Sequence, residues 1–135
     1  MANLILYKSS CISGFVHLLF FILYIPTNLF LISIMVIGLC TSIFNHKYTN
    51  KLLQYLDRFV MIIGFLCNLY FIYNMCNLSH IGLKLFLVNL LLCSVCLYFN
   101  AKNYIKNNYT NYSNILHILA HILLTFIHII LISRY

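Results

Sequence analysis

Apolar and polar residues fall in long blocks along this chain rather than in the short periods of a strand or a surface helix. Residues 11–46 are almost continuously apolar, broken by Pro26, Thr27 and Asn28. Later apolar blocks cover 56–75, 80–99 and 114–133, separated by polar stretches at 46–55, 76–79 and 100–113. Each of these three is about 20 residues long, which at about 1.5 Å per residue crosses the ~30 Å hydrocarbon core of a bilayer once. The first block would span roughly 50 Å, more than one crossing needs. It therefore holds two short helices, near 11–25 and 28–46, or one long helix kinked at Pro26. The pattern predicts an all-α, polytopic transmembrane helix bundle of about five helices, or four if 11–46 is a single kinked helix.

Composition agrees with that pattern. Of 135 residues, 64% are apolar and 7% charged, a single side chain is acidic, and the mean hydropathy is +0.98. A soluble domain needs far more polar surface. Residues 1–135 make one transmembrane domain, with no room for a separate soluble module. The first apolar block runs on without a small-residue cleavage site, so it reads as a retained anchor. Asn100 to Asn114, rich in Asn, Tyr and Lys and without helical periodicity, reads as a mobile loop between the last two spans.

The net charge of +7 comes from eight Lys and Arg scattered singly. With no basic run and no aromatic-interleaved patch, nucleic acid is not an expected partner. In a five-helix arrangement Lys8, Lys47, Lys51, Arg58, Lys102 and Lys106 share one face of the membrane, against Lys84 and Arg134 on the other. The positive-inside rule then places the 46–58 and 100–113 loops in the cytosol. Six cysteines lie mostly within apolar segments and do not form a secreted disulfide framework, so they are expected to be reduced. The Cys93-x2-Cys96 pair stands alone, which leaves it short of a metal or redox motif. The wealth of Asn, Ile, Tyr and Lys points to an AT-biased genome, so the glycosylation sequons at Asn77, Asn108 and Asn111 carry little weight.

Ionisable groups inside a membrane are costly and mark function. This chain has one carboxylate, Asp57, and six His. Ser42 and His46 are four residues apart at the cytosolic end of a span and project from one side of it. Asp57 opens the next span at the same depth. His117 and His121 form an HxxxH pair near the start of the last span, two crossings later and so on the same face. All five side chains fall in one layer of the membrane. Two His at i and i+4 plus a third from a neighbouring helix give three tetrahedral ligands and one open position, the ligand count of a catalytic zinc. Against this stand simpler uses: an intramembrane His bonded to a carbonyl, Asp57 paired with Lys51 or Arg58, Ser42 bonded to its own helix.

Ser42-x3-His46, Asp57 eleven residues after His46, and His117-x3-His121 together resemble the CREST superfamily of membrane hydrolases. That group includes alkaline ceramidases, GPI-anchor lipid-remodelling hydrolases, adiponectin-type receptors and hemolysin III proteins. The step from His46 to Asp57 is most similar to the ceramidases and GPI remodellers, and His128 is similar to a further His of the remodellers. The resemblance implies Zn2+ held by His46, His117 and His121, Asp57 holding the zinc-bound water, and Ser42 beside the reacting carbonyl of a membrane lipid amide or ester. It also implies an endomembrane (ER/Golgi) location. Family members have seven helices, and the interval from His46 to His117 is shorter here by about two spans of ~20 residues, which preserves the sidedness of the last helix. The N-terminal acids that ceramidases use for calcium are missing, as is any Trp.

His128 lies about 20° around the helix from His117 but three turns deeper, too far along the axis to share the metal. His17 has no evident partner, and His80 begins a span on the opposite face. Two other functions remain open. A His at a helix end followed by Asp is also similar to the cytochrome b anchor of succinate dehydrogenase, in the mitochondrial inner membrane. There His46 would ligate haem and His17, near Ser13, would lie toward a quinone pocket, although Leu18 stands where an Arg is expected and HxxxH has no role. The third is a structural membrane subunit whose His side chains only satisfy helix contacts.

Overall fold

A computed structural model describes residues 3–48, 50–74 and 81–135. It contains α1 (Leu4–Tyr24), α2 (Leu29–Lys47), α3 (Lys51–Asn74), α4 (Ile81–Lys106) and α5 (Thr110–Ile132), with no strand among the described residues. Each helix is long and apolar enough to cross a membrane. Among the described residues the protein is an all-α integral membrane bundle of five helices. Consecutive helices are neighbours, and α5 packs back beside α1, so the five form a ring whose sparsest seam lies between α3 and α4.

The break between α1 and α2 resolves the four-or-five alternative in favour of five. Asn28 begins a new helix by accepting from the Leu31 amide at 3.0 Å through its side chain, a standard N-cap. Before it, Pro26 offers no backbone N–H, and Ile25 closes α1 in the left-handed region at φ 44°, its own N–H on the Phe21 carbonyl. Asn3 caps α1 in the same way, accepting from the Leu6 amide at 3.2 Å, and donates at 2.7 Å to the Asn114 side chain, which ties the start of α1 to α5.

The segment Asn100–Asn114 is not a mobile loop. α4 runs through it to Lys106, α5 starts at Thr110, and only three residues connect them. Asn108 takes φ 64°, its amide bonds to the Ile105 carbonyl, and the Tyr109 amide reaches back to Tyr104. This is a Schellman-type ending, in which the left-handed residue is usually Gly and sometimes Asn. Tyr104, Tyr109 and Tyr112 pack their rings together over the turn. Polar composition marked where the helices leave the hydrocarbon rather than where they end.

Inward-facing stripes explain the interior. On α1 the buried residues are Leu6, Ser10, Ser13 and His17, and on α2 Leu31, Met35, Ser42 and His46. Spacings of three, four and seven keep each set on one face of its helix. One end of the bundle is filled with Leu31, Met35, Phe71, Ile72, Leu87, Leu91, Ile127, Leu131 and Ile132. The C-terminus seals that end: the Tyr135 hydroxyl donates to the Phe71 carbonyl at 2.8 Å and the Thr27 hydroxyl to the Tyr135 carbonyl at 2.6 Å. The other end holds the buried polar residues Ser10, Ser42, His46, Asp57 and Ser113.

Leu18, Ile22, Leu52, Ile62 and many other large apolar side chains point outward. Such a surface suits acyl chains, not water. Cys93 and Cys96 are among the exposed free thiols of α4. His80, Cys76 and the sequon at Asn77 lie outside the described residues.

Candidate metal centre

The topological expectation that three His from two helices meet in one layer is realised in the structure. His46 is the penultimate residue of α2, and His117 and His121 lie one turn apart on α5. The His46 ring stands 4.9 Å from that of His117 and 6.1 Å from that of His121, centre to centre. His117 and His121 are 5.0 Å apart and nearly parallel, at 18°. One ring nitrogen from each of the three lies within 4.8 Å of the others, so the cluster could hold a metal ion.

Two features test that fit. Nitrogens bound to a single tetrahedral ion at about 2.0–2.1 Å stand roughly 3.3 Å apart, so the three His, whose nitrogens lie within 4.8 Å of one another, would have to draw closer to share one ion. More pointedly, His46 Nε2 is buried and has no hydrogen-bond partner among the described residues. A buried polar nitrogen with nothing to bond costs on the order of 1–3 kcal/mol, and in an apolar interior a metal ligand role removes that cost. His117 and His121 line a cavity, so an ion held by the three His would have open space on one side.

Asp57 is buried in the second turn of α3 and accepts a hydrogen bond at 2.7 Å from the Asn45 side-chain amide. Ser42 sits one turn before His46, its hydroxyl 3.2 Å from that of the fully buried Ser10 on α1. Both line the same cavity as His117 and His121. The structure thus gathers all five residues named from the sequence at one end of the bundle, with Asp57 and Ser42 on the cavity wall rather than bonded to an imidazole.

That cavity measures about 450 Å³, within the range of ligand pockets. Its walls are mostly apolar and come from every helix, with α3 and α4 contributing Val60, Gly64, Phe65, Val95 and Phe99 along the sparse seam. Tyr98 of α4 packs edge-on against His117 at 5.4 Å, and the Lys102 ammonium lies 4.6 Å from the Tyr98 ring centre.

Sequence reasoning missed Ser10, Asn45, Tyr98 and Lys102. Tyr98 and Lys102 had a signal: the parity of crossings puts the second half of α4 at the depth of His46. Asn45 had none, because its neighbourhood with Asp57 depends on how α2 and α3 are rotated. His17, read as having no evident partner, in fact bonds through Nε2 to His128 Nδ1 at 2.8 Å. His128 lies deeper along α5 than the triad and does not join it, as its depth implied.

No family model matches the chain, and no curated protein or solved structure matches it significantly. The architecture and the His cluster define a class: an integral membrane bundle of five described helices with three His that could hold a metal ion.

Proposed function

We propose that this protein is a zinc-dependent intramembrane hydrolase of a lipid amide or ester bond, similar in chemistry to ceramidases and GPI-lipid remodellers. The observation that carries the proposal is the convergence of His46 with His117 and His121, from helices distant in sequence, with His46 Nε2 left buried and unbonded. Three imidazoles with an open position suit zinc better than magnesium or calcium, which prefer oxygen ligands. When bound, zinc supplies a Lewis acid and brings the pKa of a coordinated water toward ~7.

The remaining roles fall to residues of the chain. Asp57 is the only carboxylate and lies on the cavity wall, placed to accept the proton of an attacking water and return it to the leaving group. Asn45 holds one of its oxygens, leaving the other for that exchange. The Ser42 hydroxyl, anchored by Ser10, is positioned to donate to the substrate carbonyl oxygen. The apolar wall takes the acyl chain and excludes water. Basic side chains lie at this end of the bundle by topology, so the site faces the cytosolic leaflet by the positive-inside rule; an endomembrane location goes with the likeness to ceramidases and GPI-lipid remodellers.

The haem-anchor alternative leaves without a role the HxxxH pair, whose two rings pack against that of His46. The test is elemental analysis of the purified chain in detergent, with His46→Ala and the double variant His117→Ala/His121→Ala. Near-stoichiometric zinc, lost in both variants, is expected, followed by turnover of a lipid amide or ester. Well-folded protein without zinc, or with zinc that persists in both variants, overturns the proposal.

A further inference from the structure

The cavity carries a second polar layer that this chemistry does not use. Ser13, His17, Asn68, Thr125 and His128 line it, and His128 is seven residues beyond His121, about 10 Å deeper along α5. The hydroxyls of Ser13 and Thr125 satisfy each other at 2.7 Å. The other three side chains form a hydrogen-bonded row that links α1, α5 and α3.

The direction of this row is fixed by its first acceptor. The Ser13 carbonyl oxygen can only accept, so His17 Nδ1, 2.8 Å away, carries a proton and donates to it. In a neutral imidazole the other nitrogen is then an acceptor, and His17 Nε2 takes a hydrogen bond from His128 Nδ1 at 2.8 Å. His128 Nε2 is in turn an acceptor, and it faces the Asn68 amide nitrogen at 3.2 Å. Every tautomer follows from one backbone oxygen, and so does the orientation of the Asn68 amide. With its nitrogen turned to His128, the Asn68 carboxamide oxygen receives no hydrogen bond among the described residues, although the residue lines the cavity. That acceptor is held in one orientation on the wall of the chamber, where a donor on whatever fills the chamber can pair with it.

We infer that Asn68 determines specificity: its carboxamide oxygen accepts a hydrogen bond from a hydroxyl or N–H in the middle of the ligand's acyl chain, at the level of His128, whose axial rise from His121 is about 10 Å. An extended chain advances about 1.2 Å per bond, so the donor lies roughly eight bonds from the reacting carbonyl. His17 and His128 act through Asn68 and are positioning residues. The inference rests on the hydrolase proposal only for where the carbonyl sits.

The experiment competes two probes, stearate and stearate hydroxylated roughly eight to nine carbons from its carboxylate, against a fluorescent fatty acid on the full chain in detergent. Zinc is measured on the same samples. The wild type is expected to bind the hydroxylated chain about five- to tenfold more tightly, the worth of one net hydrogen bond. Asn68→Leu is expected to lose that preference while still binding stearate. Equal affinities in the wild type, displacement by neither probe, or a preference that survives in Asn68→Leu overturns the inference. The wild-type comparison needs no variant to fold. A preference found in zinc-free protein would sink the hydrolase proposal and leave the Asn68 assignment standing, whereas zinc without preference would do the reverse.

Discussion

The Asn45 side-chain amide donates to the carboxylate of Asp57 at 2.7 Å, joining the end of α2 to the start of α3. Asp57 is 4% exposed, so this bond meets part of the hydrogen-bonding need of the only acid in the chain. Asn45→Leu is expected to destabilise the protein by about 1–3 kcal/mol, because it leaves a buried acceptor short of a partner. Zinc content should not change, since Asn45 is not a ligand. Thermal unfolding and elemental analysis on the same preparation check both halves.

Asp57→Asn separates proton transfer from metal binding. The amide keeps the shape of the side chain and loses the base, so zinc should remain near stoichiometric while turnover of a lipid amide or ester falls about 10²- to 10⁴-fold. A parallel loss of zinc and activity would instead make Asp57 a ligand or a folding residue.

Much of this site is legible from the sequence because membrane topology converts order into depth. A span that ends at His46, another that begins near Asp57, and a third that begins near His117 must share a face, whatever the packing. Rotation about the helix axes is another matter. Asn45 and His46 are adjacent in sequence, yet one reaches Asp57 and the other the α5 imidazoles. The His17–His128 contact needs α1 and α5 to be neighbours, which only ring closure provides. The end of α4 is hidden from the sequence for a different reason. Hydropathy reports the hydrocarbon boundary, whereas the helix continues until the left-handed Asn108.

Metal binding changes the sign of a substitution at His46. In the metal-free protein, buried Nε2 has no partner among the described residues, so His46→Leu should be neutral or stabilising once zinc has been removed by a chelator. If His46 is a zinc ligand as proposed, the same change should be destabilising with zinc present, because ligand binding energy then contributes to folding. Unfolding midpoints of both proteins, with zinc and with chelator, give the four values needed. Destabilisation of equal size in both conditions would make His46 a packing residue.

The connection at residues 107–109 reports orientation. Six of the eight basic residues lie at its end of the bundle by topology, counting Lys8, Lys47, Lys51, Arg58, Lys102 and Lys106. Asn107→Cys should therefore react with a membrane-impermeant maleimide from the cytosolic side only, above the background given by the native thiols. Labelling from the lumenal side would reverse the orientation and move the site to the other leaflet.

Gly64 offers a way to fill the chamber without touching its chemistry. It lies within α3, lines the cavity, and a Cβ built on it meets nothing within 4 Å. A helical glycine costs roughly 0.5–1 kcal/mol relative to alanine, so Gly64→Leu should fold at least as well as the wild type. Its side chain would project into the space proposed for the acyl chain, beside Phe65 and the α3–α4 seam. Zinc should stay bound, since the three His lie on α2 and α5. Turnover of a long-chain substrate should drop about tenfold or more while a short-chain analogue is less affected, a split that loss of folding cannot produce. Equal turnover of both chain lengths in wild type and variant would show that the chamber is not where the chain lies.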